Sequence, residues 1–357
     1  MTDAPHILYL GRSRLHRARA NLIQTLHTAG AFQQLGWRVR VFLPPWRGRL
    51  SVAAALAELG IDAEVEVRGS KLLHPRWSFR LFVLVHRRML QAAPVLYTRV
   101  AGISLALARA GLPHHLEVHD VAALAQSGEA ERILAYHRTG LIRTLIPISR
   151  AAAQSLAQSG AAPARVHVAP SGVRLEAFAR LPPFDPARLE CPRIVHLGRL
   201  SAPRGLAVFQ HFAVRGECEI TVVSPDRSAV LNAAHHPPVP LADVPGWYAR
   251  SDVTLLPYQP DLDTAATMSP IKMFEAMAAG RPIIASDLPT LREVLEHERT
   301  ALLVRPDDLN AWAEALERLR RDRALALALA RNARAEAEQY SWRARASGIA
   351  RAIGLTR

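Results

Sequence analysis

Short runs of β-branched and apolar residues alternate with stretches of helical periodicity along nearly the whole chain. That alternation constrains the fold more than any other feature, because it predicts parallel sheets covered by helices on both faces. HILYLG (residues 6–11) reads as a first strand, 20–35 as a helix and WRVRVFLP (37–44) as a second strand. A short helix over 53–59 precedes the strand DAEVEVR, and the apolar, basic stretch 72–91 precedes the strand APVLYTR. Then come a helix over 103–110, the strand HHLEVHD (114–120), a helix over 130–143 and the strand LIPIS (145–149). A helix over 150–158 and a short strand RVHVAP complete one doubly wound domain.

After Ser171 the pattern breaks into GVRLEAFARLPPFDPARLECP, which is proline-rich and aperiodic, the best linker in the chain. It restarts with RIVHLGRL (193–200), CEITVVS, DVTLLP, PIIASD and ALLVRP, the strands of a second parallel sheet. Residues 309–338 read as helical, and Tyr340-Ser341-Trp342 marks a break before a last helix. The expected division is a first domain over 1–172, a linker over 173–192, a second domain over 193–339 and a terminal helix over 340–357.

A length of 357 residues suits two cores better than one. A composition 50% hydrophobic and 21% charged excludes general disorder. No apolar run approaches the roughly 18–20 residues of a spanning helix. The segment MTDAPHILYLGRS lacks the basic n-region of a signal peptide. Cys191 and Cys218 have neither metal-ligand spacing nor catalytic context, so a cytoplasmic setting is expected. The net charge of +14 permits anionic partners. No helix-turn-helix, zinc-finger or ribonucleoprotein motif accompanies it, so nucleic acid is not an expected partner. Among 45 basic residues only Lys71 and Lys272 are lysines.

Lys272 stands in SPIKMFEAMAAGRPIIASDLPTLREV (269–294), the most informative segment for function. Ser269 suits an N-cap and Pro270 the first helical position. Phe274, Met277 and Ala278 recur at helical spacing, Gly280 suits the C-cap, and IIAS is a short strand. Lys272 and Glu275 are the polar residues inside this apolar helix. An anion at its N-terminus would meet free N–H groups, the helix dipole and Lys272 together.

This block resembles the donor-binding motif of family-4 glycosyltransferases of the GT-B fold. The resemblance implies that the helix N-terminus holds the diphosphate of a sugar nucleotide and that Glu275 binds the ribose hydroxyls. Glu275 falls on the second glutamate of the family's E-x7-E pattern, whereas the first falls on Thr267, a departure at a position that usually contacts the donor sugar. Thr267, Met268, Ser269, Lys272 and Glu275 are therefore the expected donor-binding residues. LGRLSAPRGL (197–206) resembles the family's G-R-L-x-x-x-K-G loop, with Arg204 where lysine is usual. Arg199 and Arg204 would neutralise the leaving diphosphate. In HHLEVHD the resemblance makes His119 the group that faces the donor sugar, with Glu117 and Asp120 as neighbours. PSGVRLEAF (170–178) looks like the family's turn into the second domain.

The first loop, GRSRLHRARANLIQTLH, has Gly11 alone where many relatives carry a glycine pair. It resembles a subgroup whose helix start is marked here by Ala20, Asn21, Gln24 and His27. Gly11, Arg12, Asn21 and Arg99 are candidates for the acceptor side of the cleft. Arg12, Arg14, Arg17 and Arg19 suit an anionic acceptor or lipid headgroups, or equally a solvated loop. Residues 71–90 mix Trp77, Phe79 and Phe82 with Arg76, Arg80, Arg87 and Arg88, which suits a bilayer interface. Apolar positions nearly encircle that stretch, which suits a helix packed on the first sheet. His114, His115, His235 and His236 read as loop residues without carboxylate or cysteine at ligand spacing, and no metal site is expected.

The resemblance implies two Rossmann-like domains facing across a cleft, with the terminal helix crossing back to the first. It implies retaining transfer of a sugar from a UDP- or GDP-linked donor to an acceptor hydroxyl, without metal or other cofactor. A glycan, lipid-linked or small-molecule acceptor is expected, in polysaccharide or lipid-linked glycan synthesis, with peripheral contact at the inner membrane face open. The alternatives are a sugar-nucleotide epimerase or hydrolase of the same fold, and a non-catalytic nucleotide-sugar-binding protein.

Overall fold

The apolar runs form strands that pair in parallel. In the first unit they are β1 (Ile7–Leu10), β2 (Val39–Leu43), β3 (Glu66–Gly69), β4 (Val95–Thr98), β5 (His114–Val118) and β6 (Ile142–Pro147). Their order is β3-β2-β1-β4-β5-β6. The computed structural model describes residues 6–17, 19–46, 50–74, 79–226 and 230–355. It divides into a unit of Met1–Ser171 with Trp342–Arg357, and a unit of Gly172–Ser341.

Alternation along each strand decides what covers each face. Leu8, Leu10, Phe42 and Leu96 pack with Phe82, Ile103 and Leu107. On the other face the Tyr9 and Tyr97 rings meet edge to face at 4.9 Å, and Phe32 of the helix Ala20–Gln34 packs on Tyr97. The last helix, Trp342–Ala352, lies against Ala20–Gln34 in this same unit. Trp342 stacks on His27 with the planes 9° apart.

In the second unit the strands are β7 (Arg193–Leu197), β8 (Glu219–Val223), β9 (Ala233–His236), β10 (Thr254–Leu256), β11 (Ile283–Ser286) and β12 (Leu302–Val304). They form two three-stranded parallel sheets, β7-β8-β9 and β10-β11-β12, joined where Ile194 bridges Val253. Across that bridge the strand order repeats that of the first unit. In such sheets ligands bind beyond the carboxyl ends of the strands, where the order reverses. Here that point lies between β7 and β10.

Several local expectations are corrected. RVHVAP is not a strand: His167 and Ala169 donate to the carbonyls of Leu145 and Pro147, but Pro147 has no N–H to return. The helix expected over 130–143 is Glu129–Arg138, and Ile142 and Arg143 already belong to β6. Gly140, at φ +84°, makes the intervening turn. Residues 173–192 are packed rather than loose: they hold a short helix, Leu175–Phe178, and a 3-10 turn, Pro186–Glu190, with Phe178 and Leu189 buried. His235 and His236 lie on the edge strand β9, and His114 and His115 are buried in β5. Residues 71–90 contain a turn, Lys71–Leu73, and the helices Phe79–Val85 and Arg87–Ala92. Arg76 and Trp77 lie outside the described residues. Among the described residues no helix is long and apolar enough to cross a membrane.

Candidate functional site

In the second unit, the loops that follow β7 and β10 meet. Gly205 is left-handed, and a Cβ there would fall 2.3 Å from both the ring and the carbonyl oxygen of Pro257. Gln259 N–H donates to the Pro203 carbonyl at 3.0 Å, and its side chain ties Pro257 to Pro306. These contacts hold the β7 loop beside the segment that leads into the helix Ile271–Ala279.

That helix starts one residue later than its sequence predicts. Pro270 holds extended angles at the cap position while its carbonyl accepts from Met273 N–H, so Ser269 precedes the cap. Gly280 ends it at φ +60°, as a left-handed C-cap should. Thr267, Met268 and Ser269 are buried in the approach to the first turn. Lys272 leans on Gly198, its Nζ standing 3.2 Å from where a Cβ would be.

Burial shapes the charges here. It draws Lys272 down to about 8, against the opposing pull of Glu275, and Arg204 adds to the lowering. It pushes Glu275 up to about 7, opposed by Lys272 and Arg174. Tyr248 donates to the Lys272 carbonyl at 3.3 Å, and burial followed by the nearby Glu275 carboxylate raises its hydroxyl well above the usual range. His196 is held near 3, first by burial and then by Lys272, so its ring is neutral and Nε2–H donates to the Arg199 carbonyl at 3.1 Å. Arg204 donates to Ser201 Oγ at 3.2 Å, whereas the Arg199 side chain is exposed. The structure thus brings Lys272, Glu275 and Arg204 into one electrostatic group. It adds Arg174, from the 170–178 turn, together with Tyr248 and His196, none of which the sequence assigned to the donor site.

In the first unit a second polar cluster closes the end of β5. Glu117 is wholly buried and accepts from His119 Nε2 and, at 2.8 Å, pairs through the same oxygen with Arg345 Nη2. Its other oxygen accepts from Tyr97 O–H at 2.6 Å. Burial alone would raise the Glu117 pKa, but Arg345 and then His119 hold it well below the carboxylate range. Burial, followed by Arg99, draws His119 down to about 4. Asp120 is occupied elsewhere, capping the helix Val121–Gln126 through Ala123 N–H.

Arg99 donates to the Asn21 carbonyl at 2.9 Å and to Gln24 Oε1 at 3.1 Å, and Gln24 in turn donates to Ser171 Oγ. Asn21 is exposed, with Oδ1 accepting from Leu22 N–H. Gly11 is buried against Leu43, 2.8 Å from where its Cβ would be, so it serves packing at the end of β1. Arg12, Arg17 and Arg19 are exposed, while Arg14 bonds His74. Among the described residues no three His, Cys, Asp or Glu side chains are grouped to hold a metal ion.

Two doubly wound α/β units, the second with a cation-lined helix N-terminus at its switch point, define the GT-B fold class. Residues 191–322 match the family model described as "Glycosyl transferases group 1". Over 206 residues the chain is 28% identical to D-inositol 3-phosphate glycosyltransferase of Arthrobacter sp. strain FB24, covering 50% of this chain and 47% of that one. The chain spans about half the length of the curated relatives it matches. Its fold is similar to that of HepE from Anabaena in complex with UDP and glucose, with a TM-score of 0.72 and 16% identity over 99% of this chain and 100% of that one. Sucrose-phosphate synthase from Thermosynechococcus elongatus gives 0.69 and 17% over 98% of each chain.

Proposed function

We propose that this protein is a family-4-type glycosyltransferase, moving a sugar from a nucleoside diphosphate donor to an acceptor hydroxyl with retention. The observation that carries the reading is the grouping of Lys272, Glu275 and Arg204 around the N-terminus of the helix Ile271–Ala279. A diphosphate placed there would meet Lys272, Arg204 and unpaired helix N–H groups. A ribose would offer hydroxyls to Glu275. Diphosphate also relieves the site's own strain, because an anion beside Lys272 favours its charged form against the burial that disfavours it.

UDP is the preferred nucleotide, in keeping with HepE, whose fold this chain shares and which binds UDP and glucose. Arg199 and Arg204 would balance charge on the departing diphosphate. His119 is assigned to the donor sugar on the resemblance of HHLEVHD. The exposed Arg12, Arg17 and Arg19 favour an acceptor that carries phosphate, in line with the names of the curated relatives. Peripheral attachment to an anionic membrane is also proposed, through the exposed Leu84 and Val85 beside Arg80, Arg87 and Arg88.

Thr267, where family-4 enzymes carry a glutamate, favours a second reading: binding of nucleotide sugar without turnover. Incubation with UDP- and GDP-sugars, with and without phosphorylated polyols and lipid-linked glycans, separates the two. Glycosylated acceptor with α/β configuration unchanged supports transfer. Tight donor binding with no product from any acceptor supports the second reading, and no binding at all sinks both.

A further inference from the structure

Glu117 and Arg345 form a buried ion pair for which donor binding has no direct use. Stability does not account for it, since apolar replacement of such pairs is often neutral or stabilising. Its geometry is specific nonetheless. The carboxylate accepts from His119 Nε2–H on Oε1 and from Tyr97 O–H on Oε2, and Arg345 Nη2 stands 2.8 Å from Oε1 as its ion-pair partner. Arg345 is itself fixed on three sides. Its Nε donates to the Pro170 carbonyl and its Nη1 to Thr28 Oγ1, each at 2.8 Å, and its guanidinium lies 5.9 Å from the centroid of the Trp342 ring.

An ionised carboxylate only accepts hydrogen bonds, so the His119 nitrogen that faces it must carry the ring proton. In the neutral imidazole Nδ1 is then the acceptor. We propose that Arg345 is a positioning residue: by gripping Glu117 it fixes His119 as the Nε2–H tautomer and presents Nδ1 as an acceptor for a hydroxyl of the donor sugar. The assignment of the sugar rests on the transferase reading; the tautomer does not. His119 in this state accepts a hydrogen bond from substrate and donates no proton to it. The requirement for a hydroxyl at that point makes the Glu117–Arg345 pair a determinant of sugar specificity.

Long-range 1H–15N correlation spectra of the full chain labelled at histidine, with His119 assigned from His119→Asn, read the tautomer without an activity assay. The expected wild-type ring is neutral with its proton on Nε2. In Arg345→Met the single tautomer gives way to an averaged signal. The turnover number falls about tenfold to a hundredfold. The KM for nucleotide sugar stays within about twofold, the pattern of a lost transition-state interaction. Arg345→Lys restores part of the rate. The double variant Glu117→Gln/Arg345→Met removes both buried charges, keeps the core neutral and is expected to show the same averaged tautomer. A wild-type proton on Nδ1, or an Nε2–H ring that persists in both variants, overturns the proposal. A tautomer lost in both variants of a protein that binds no nucleotide sugar upholds the positioning and removes the transferase reading instead.

Discussion

Lys272 and Gly198 are in contact: the ammonium stands 3.2 Å from the point a Cβ on Gly198 would occupy, at a glycine whose φ is +99°. The site's one lysine is therefore placed by the absence of a side chain on the opposing loop. Gly198→Ala is expected to strain the loop by about 1–2 kcal/mol and to push the ammonium away. Affinity for UDP should fall about tenfold, which is 1.4 kcal/mol of lost interaction. Calorimetric titration measures it, and unchanged affinity in a folded variant would refute the placement.

Glu275→Gln separates stability from binding. The folded-state pKa of Glu275 is raised from 4.5 to about 7 by burial, so between those values the native state holds more protons than the unfolded one. Stability from this group is complete below pH 4.5 and is lost as pH rises through 7. The neutral amide escapes that loss. The variant should melt above wild type near neutral pH, by up to roughly 3 kcal/mol, and the difference should shrink on acidification. The melting-point increase expected for wild type with UDP should also be lost in the variant. Lys272 works with the opposite sign, its cost being present below about 8 and relieved toward 10.5, so the comparison belongs below pH 8. Equal melting curves at neutral pH would contradict the buried, charge-resisting carboxyl.

Trp342→Ala removes the ring stacked on His27 and lying beside Arg345. Loss of so large a buried ring costs about 3–5 kcal/mol. Urea unfolding should show that loss in the first unit, reported by exchange protection of amides in β1 and β4. Protection there that matches wild type would count against a structural role for the last helix.

Leu84 is 69% exposed and Val85 60%, and three arginines lie nearby on the same pair of helices. Wild type is expected to sediment with vesicles containing anionic phospholipid and to be released by salt. Leu84→Glu should abolish sedimentation and leave UDP affinity unaltered. Wild type that stays in the supernatant at low salt would dismiss the membrane assignment.

Legibility in the sequence followed the range of the interactions. Strands rich in isoleucine, leucine and valine announced themselves, and so did the helix that ends at Gly280, because those signals are local. The β9 segment AAHH carries no β-branched residue, so His235 and His236 read as loop residues; pairing with neighbouring β8 makes them a strand. Tyr248 ends the short helix Val244–Tyr248, which no periodicity announces, and only folding brings it near Glu275. Arg345 was the hardest to foresee. It is one arginine in an arginine-rich helix, and nothing in its neighbourhood says that it meets Glu117. His119 was found through a motif, but what holds it was not.

The hydrogen bond between Thr28 and Arg345 closes across 317 residues of sequence. Ribosomes add roughly 5–20 residues per second, so Thr28 emerges on the order of half a minute before its partner. From the time Glu117 is made until Arg345 follows, the nascent first unit carries that carboxylate without its ion-pair partner, and the Ala20–Gln34 helix lacks its cover. The first unit to be translated is thus the last that can finish folding. A stop codon anywhere before Arg345 would leave it unfinished, however intact the second unit.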